Sequence, residues 1–292
     1  MKTFSLVVAG VALLAALFPA PLFAAEKYTL EYKFQPDEKV RWEVIHRATV
    51  TTTIQGTTQS AQTKSVSVKV WQVSKVHENG DTDFIHWVES IKMTNKLPNR
   101  AEVEYDSQAD EQPPAGYEDA ARAVGVPLTE VRINRFGKVL DRKQRHIQQG
   151  NSDDNPIAIP LPSEPIAIGE SWGEPHEITV ALQNGRQQKV TTRRRFELKA
   201  VEGDIATIGV DCQVLTPIRD PAIEAQLIQR LFAGDVKFDM AKGRLAEQKL
   251  DLDQRVLGFS GPASSMHYLM SLEERLLGPH EQLAKNPAKE TK

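Results

Sequence analysis

The sequence predicts a mainly β protein: two related antiparallel, curved-sheet halves with short helices packed on them. Three observations carry this. Apolar residues alternate with polar ones at a period of two along most of the chain, as in Val40, Trp42, Val44, His46, Ala48 and Val50. Turn residues such as Asn79-Gly80 and Gly203-Asp204 punctuate that alternation at hairpin spacing. A stretch that cannot be a regular element, Pro160 to Trp172 (PLPSEPIAIGESW), separates two runs of similar order. Its three prolines block a helix and remove donors from any central strand.

The chain opens with Met1-Lys2, an apolar run from Leu6 to Phe18, prolines at 19 and 21, and Ala24-Ala25. A basic start, an apolar core and a small-residue exit describe a secretory signal peptide over residues 1–25. The run falls short of the about 20 apolar residues a membrane span needs, so no transmembrane segment is expected after cleavage near Ala24 or Ala25. Export to a secreted or periplasmic location follows. The single cysteine, Cys212, excludes an internal disulfide there, leaving packing and hydrogen bonds to stabilise the fold. Lys+Arg number 36 against 39 Asp+Glu, net −3. Losing Lys2 makes the mature chain one unit more negative, and so mild a charge argues against a nucleic-acid partner.

In the first half, residues 26–155, Tyr28, Leu30, Tyr32 and Phe34 read as a half-buried strand ending at Pro36-Asp37. Val40 to Ile54 is a longer strand with its apolar residues on one face, reversing at Gln55-Gly56. Val66, Val68 and Val70 continue the pattern, but Trp71 and Val73 take the opposite parity: either a bulge flips the register or both faces are covered. Beyond Asn79-Gly80, Ile85, Trp87, Ile91 and Met93 fall on one side, with Phe84 and Val88 on the other. Tyr117 to Val124 has helical spacing. Val131 to Leu140 is a hairpin around Gly137, and Gln148 to Asn155 a polar loop.

The second half, residues 156–279, repeats the order. His176, Ile178, Val180 and Leu182 alternate, Asn184-Gly185 turns, and Val190, Phe196 and Leu198 share a parity. Ile208, Val210, Cys212 and Val214 line one face. Pro221 opens a helix through Leu231. Val236, Phe238 and Met240 lead into a turn at Gly243, matching the hairpin at Gly137, and Leu250, Leu252 and Val256 follow. Trp42 and Trp172 are the other anchors of the repeat. Met266 to Leu272 alternates as a closing strand, although Leu269, Leu272 and Leu276 leave a helix open. The tail, residues 280–292, is expected to be disordered.

Residues able to carry chemistry are few. The histidines 46, 77, 86, 146, 176, 267 and 280 show no metalloprotease spacing, and nothing pairs with Cys212 as a zinc site. His46, mid-strand, reads as a core-edge histidine satisfied by a backbone partner rather than a base. Cys212 reads as a small buried hydrophobe. Gly258-Phe259-Ser260-Gly261 has its second glycine one residue early for a nucleophile elbow and reads as a turn. Asp153-Asp154 lacks the spaced series of a calcium loop, and Asp251 with Asp253 reads as a solvated strand face. Arg193-Arg194-Arg195 is the sharpest basic cluster. Arg193 and Arg195 share a face with Lys189 and Lys199, solvated or forming an anion patch. No catalytic, cofactor-binding or metal residues are assigned, and the expectation is a protein that is not an enzyme and needs no cofactor.

The connector's Leu161-Pro162, Pro165, Gly169, Glu170, Ser171 and Trp172, with Tyr32 to Glu38, resembles a mark of a family of secreted bacterial β-rich proteins of unknown function. The resemblance covers most of the mature chain and implies no catalytic residues. The layout is also similar, at fold level, to the half-barrels of periplasmic lipoprotein carriers. The leading expectation is therefore a non-catalytic binding protein of the cell envelope, for a lipid or other apolar small molecule. A structural or protein-interaction module is the alternative, and an unrecognised hydrolase a remote one. The connector should pack Ile166, Ile168 and a largely buried Trp172 against both halves.

Overall fold

The computed structural model describes residues 26–146, 157–182 and 185–281. The expected signal peptide, the Gln148–Asn155 loop with Asp153-Asp154, Asn184 of the second turn and nearly all of the 280–292 tail lie outside them. In chain order the elements are β1 (Lys27–Tyr28), β2 (Lys39–Ile54), β3 (Thr57–Val76), β4 (Thr82–Lys96), β5 (Val103–Asp106), α1 (Glu118–Ala123), β6 (Thr129–Ile133) and β7 (Val139–Gln144). Then come β8 (Ile166–Ala167), β9 (Ser171–Trp172), β10 (Pro175–Ala181), β11 (Gln187–Glu202), β12 (Ile205–Val214), α2 (Pro221–Leu227), β13 (Ala233–Asp239), β14 (Arg244–Leu257) and β15 (Ser264–Leu276).

One antiparallel sheet holds nearly all of them, in the order β10-β11-β12-β13-β14-β15-β2-β3-β4-β6-β7, with β5 added on β4 and β9 on β11. The seam between the halves is β15 against β2, paired from Ser264↔Ile54 to Leu276↔Trp42. Met266 to Leu272 is thus strand, not helix. The sheet does not close, since β10 and β7 remain unpaired with each other. It curves strongly enough for buried residues of β4, β6, β11, β12 and β13 to share one core. Five register shifts interrupt its ladders, and each extra residue raises the local twist.

One shift corrects the sequence reading of β4. Lys69 pairs with Val88 but Val68 pairs with Ser90, so Glu89 is the extra residue. The bulge flips the parity, bringing Ile91 and Met93 to the inward side with Phe84 and Val88, away from Ile85 and Trp87. Arg41 holds the bulged residue with two hydrogen bonds, Nη2 to Oε1 at 2.6 Å and Nε to Oε2 at 3.2 Å. On β3 the ambiguity resolves without a bulge at Trp71. Trp71 and Val73 face the core, while Val68 and Val70 are buried on the outer face beneath Trp87 and Leu277.

Tyr28 to Phe34 is not the expected strand. Only Lys27–Tyr28 is β1, paired with β8 in the connector. The period-two burial holds, with Leu30, Tyr32 and Phe34 buried, but the segment runs as a strap between two hairpin turns. Tyr32 N–H donates to Arg135 O at 2.7 Å and Lys33 N–H to Gly243 O at 2.9 Å. Its rings continue the core across the sheet. Tyr32 meets Phe238 edge-on at 5.4 Å and stacks near Phe34 at 5.9 Å, and Phe34 lies 6.1 Å from Trp71. Trp71 stacks on Phe84 at 4.3 Å and abuts Trp42 at 5.0 Å. Such pairs are worth about 0.5–1.5 kcal/mol each beyond their buried area.

The connector packs as a second strap. Leu161 N–H donates to Phe136 O at 2.8 Å, Gly169 N–H to Leu198 O at 2.8 Å, and Trp172 pairs with Phe196 on β11. Ile166 is buried, but Ile168 is 50% exposed, contrary to expectation. It sits at the turn before Gly169, where the chain swings out to meet β11. Trp172 is only partly buried, because one ring face stacks on Phe196 at 5.5 Å while Nε1 donates to Pro160 O at 2.7 Å. Trp42 is buried as expected, its Nε1 donating to Leu245 O at 3.0 Å across the seam.

Both expected helices form. Asp220 caps α2, accepting from Ala222 N–H, with Pro221 in the first turn. It is shorter than expected and gives way to a 3-10 turn over Ile228–Arg230. Ile223 and Leu227 pack on Ile178, Val180 and Val190, while Ile228 packs on Leu252, Val256 and Tyr268. The helix therefore lies across the concave face.

Gly243 at φ +60° is the tighter of the two strap-holding turns, since a Cβ there would lie 2.4 Å from Lys33 N. Gly56 at φ +81° has open space around it. Gly56→Ala is expected to cost about 1 kcal/mol for the left-handed backbone alone. Gly243→Ala should cost about 3 kcal/mol, because the strap must also shift. Denaturant unfolding followed by tryptophan fluorescence checks this, and equal costs would show that the turn does not depend on the strap.

Candidate functional site

Inward residues near the open side of the sheet do not meet, and leave a cavity of ≈ 450 Å³. Its apolar wall comes from Phe196 and Val210 of β11 and β12, Leu245 and Leu250 of β14, and Met270 and Leu272 of β15. Phe232, just after α2, and Ile157 to Ile159 of the connector extend that wall. The rest of the wall mixes the rings of Tyr32, Trp42 and Trp71 with polar side chains. His46 of β2, Lys69 of β3, His86 of β4, Arg142 of β7 and Arg194 of β11 line it, with one carboxylate among the described residues, Glu274 of β15.

Lys69 and Glu274 form an ion pair, the Glu274 side chain being 7% exposed. Lys69 Nζ also sits 4.9 Å from the Trp42 ring centroid and 5.6 Å from that of Trp71. Two aromatic faces and a carboxylate compensate the ammonium for lost water. Gln248 Nε2 donates to the second Glu274 oxygen at 3.4 Å. Glu274 is thereby engaged with Lys69 rather than with a histidine.

Burial, reinforced by the positive charges of Lys69 and Arg142, holds the His86 pKa down to about 3. Its Nδ1 lies 3.4 Å from Thr129 Oγ1. Burial also lowers the pKa of His46. No described residue hydrogen-bonds the His46 ring, which corrects the expectation of a backbone partner: its ring projects into the cavity instead of back onto the strand. Both imidazoles are neutral at neutral pH.

Arg194 reaches inward between Thr192 and Phe196. Its guanidinium carbon lies 4.8 Å from the Phe232 ring centroid. It also contacts the Cys212 thiol, whose pKa burial raises despite the nearby positive charge. The Arg194 Nε and the Trp71 Nε1 are buried N–H donors with no partner, and an unpaired buried donor costs about 1–3 kcal/mol.

The other sequence candidates lie elsewhere. Arg193 and Arg195 point outward as expected, engaged with Gln213 and with Asp211 and Glu197. Lys199 reaches Asp235. His176 meets Thr192 Oγ1 at 3.0 Å, and Asp253 meets His267 at 2.7 Å on the outer face. His77 pairs with Asp83 at 3.0 Å. Gly258 to Gly261 is the β14–β15 turn, closed by Gly258 N–H to Ser264 O at 2.8 Å. Among the described residues no group of three or more His, Cys, Asp or Glu is placed to hold a metal ion. Sequence reasoning missed Lys69, Arg142, Arg194 and Glu274 as a group. The available signal was polar side chains at inward parity: if Arg193 and Arg195 face out, Arg194 must face in.

No protein-family model and no curated protein matches the sequence. Among solved structures the chain is similar to lipovitellin, at 10% identity and a TM-score of 0.43, over 84% of this chain but only 26% of that one. It is also similar to DynF from the dynemicin biosynthesis pathway of Micromonospora chersina, at 9% identity and a TM-score of 0.20, over 92% of each chain. A DUF1329 family protein from Desulfovibrio piger matches at 11% identity and a TM-score of 0.15, over 79% of this chain and 84% of that one.

Two measurements probe the site. Glu274→Leu strands the Lys69 charge and should cost about 3 kcal/mol, whereas Lys69→Met with Glu274→Leu should recover most of that. Additive costs in the double-mutant cycle would mean that the pair is not coupled. For His86, the unfolded chain binds a proton that the folded protein does not between its ordinary pKa of 6.5 and about 3. Stability is therefore full above the ordinary value and declines as pH falls through that window. The loss attributable to His86 between pH 7 and 5 is about 2 kcal/mol. His86→Gln should remove that part of the pH dependence of unfolding, and an unchanged slope would show that His86 titrates normally.

Proposed function

We propose that the protein is a non-catalytic binding protein for a lipid or other apolar molecule, acting outside the cytoplasm. The ≈ 450 Å³ cavity on the concave face carries this reading. Small-molecule sites are typically concave, about 300–1,000 Å³, largely apolar, and furnished with a few polar groups that orient the ligand. The described walls fit that description, with aromatic and aliphatic side chains beside a cluster of polar ones. A packed core of strap and sheet aromatics beside the cavity gives it a rigid base, so the site need not assemble when ligand arrives. Among the described residues, a Cys212 thiol raised in pKa by burial and a Glu274 carboxylate held by Lys69 support binding over catalysis. No helix among the described residues is long and apolar enough to cross a membrane. Export rests on the signal-peptide character of residues 1–25.

Native mass spectrometry of the protein isolated from its own host is the direct test. It should show an adduct on a chain beginning near Glu26. An environment-sensitive dye should bind the emptied protein in one-to-one ratio. Met270→Trp, which fills the cavity from β15, should weaken the dye at least about ten-fold while changing the unfolding free energy by no more than about 1 kcal/mol. Absence of any adduct together with no displaceable dye would defeat the binding reading.

A further inference from the structure

We infer that the cavity's ligand is an amphiphile with an anionic head, and that Arg194 is the residue that holds that head. This rests on the binding reading above and names its ligand class. Among the described residues of the cavity wall the cations are Lys69, Arg142, which is engaged elsewhere, and Arg194, and the carboxylate is Glu274. Glu274 is taken by Lys69. Positive charge is felt inside the site, since Lys69 and Arg142 both act to keep His86 unprotonated. A neutral ligand leaves the Arg194 charge uncompensated, and a cationic one adds to it.

Arg194 is the member of the set built to receive an anion. Among the described residues no carboxylate pairs with it, and its Nε donor is unpartnered. The contacts it does make, with the Phe232 ring and the Cys212 thiol, hold the guanidinium in place without neutralising it. Its outward neighbours in sequence differ in this respect: Arg195 already lies between Glu197 and Asp211. A planar guanidinium fixed beside an aromatic ring suits a carboxylate or a phosphate, each of which accepts two parallel N–H bonds. The strand neighbour of Arg194 on the same face is Phe196, which with Val210, Leu250 and Leu272 begins the apolar wall. Head and chain sites are thus contiguous.

The test uses the full mature protein and four probes of equal chain length: hexadecanoate, hexadecyl phosphate, hexadecanol and hexadecyltrimethylammonium. Each is titrated below its micelle-forming concentration with tryptophan fluorescence and dye displacement as readouts. The anions should bind at least about ten-fold more tightly than the alcohol, and the cation more weakly than the alcohol. Which anion binds more tightly then identifies the head group. Arg194→Gln should bring the anions down to the alcohol's affinity, with circular dichroism and the thermal unfolding midpoint reporting that the variant is folded. Arg194→Lys, keeping the charge but losing the fork, should retain part of the preference. Equal binding of alcohol and anions, tighter binding of the cation, or an anion preference that survives Arg194→Gln overturns the inference while leaving a binding cavity in place. If none of the four probes binds, the binding reading itself falls.

Discussion

The structure depends on two backbone hydrogen bonds made by adjacent residues of one extended segment. Tyr32 N–H reaches the carbonyl of Arg135 in the β6–β7 turn, and Lys33 N–H reaches that of Gly243 in the β13–β14 turn. Bulges bend an open antiparallel sheet, and a tie between distant strands fixes that bend, since ladder hydrogen bonds act only between neighbours. The strap supplies that tie, and its side chains complete it. Tyr32 packs on Phe238 from one half, and Phe34 packs on Trp71 from the other. Arg244 reinforces the junction through Glu38, Nη1 to Oε1 at 2.5 Å, and through Lys33 O at 3.2 Å.

The cavity is the complement of this arrangement. Aromatic side chains from the strap fill the concave face between the two turns, and α2 covers another part of it. Between them the inward side chains become polar or too short to meet across the curve. Polar groups there escape the usual cost of burial in part by pairing, as Lys69 does with Glu274, and in part by giving up charge, as His86 does. Arg194 does neither, since an arginine cannot lose its proton in a protein. That asymmetry makes it the informative residue of the site.

Much of the fold was legible in the sequence. Alternation from Val40 to Val50 named the buried face of β2 correctly, Pro221 marked the start of α2, and the glycines at 137 and 243 marked turns. The misreadings share a cause. Period two reports which side chains are buried, not what the backbone between them bonds to, so the strap at Tyr28 to Phe34 looked like a strand. It also assumes an unbroken register, so the bulge at Glu89 misplaced Ile91 and Met93. Of the site, only His46 and the arginine run stood out in sequence, because a lone polar residue on an apolar face is common and becomes a site only beside others.

By itself the sequence determined the antiparallel β class, the two helices, the buried face of strands with unbroken register such as β2, and the role of the Pro-rich connector as a packed segment. Those properties follow from local periodicity and from the backbone limits of proline and glycine. Only the tertiary structure decided that β15 pairs with β2 to make one sheet, that a strap holds that sheet's curve, and that His46, Lys69, His86, Arg194 and Glu274 face a common space. These depend on contacts between residues as far apart as Trp42 and Leu245. Core and cavity walls carry the same alternation, and whether facing side chains meet across a curve is set by the distance between strands rather than by the pattern along any one of them.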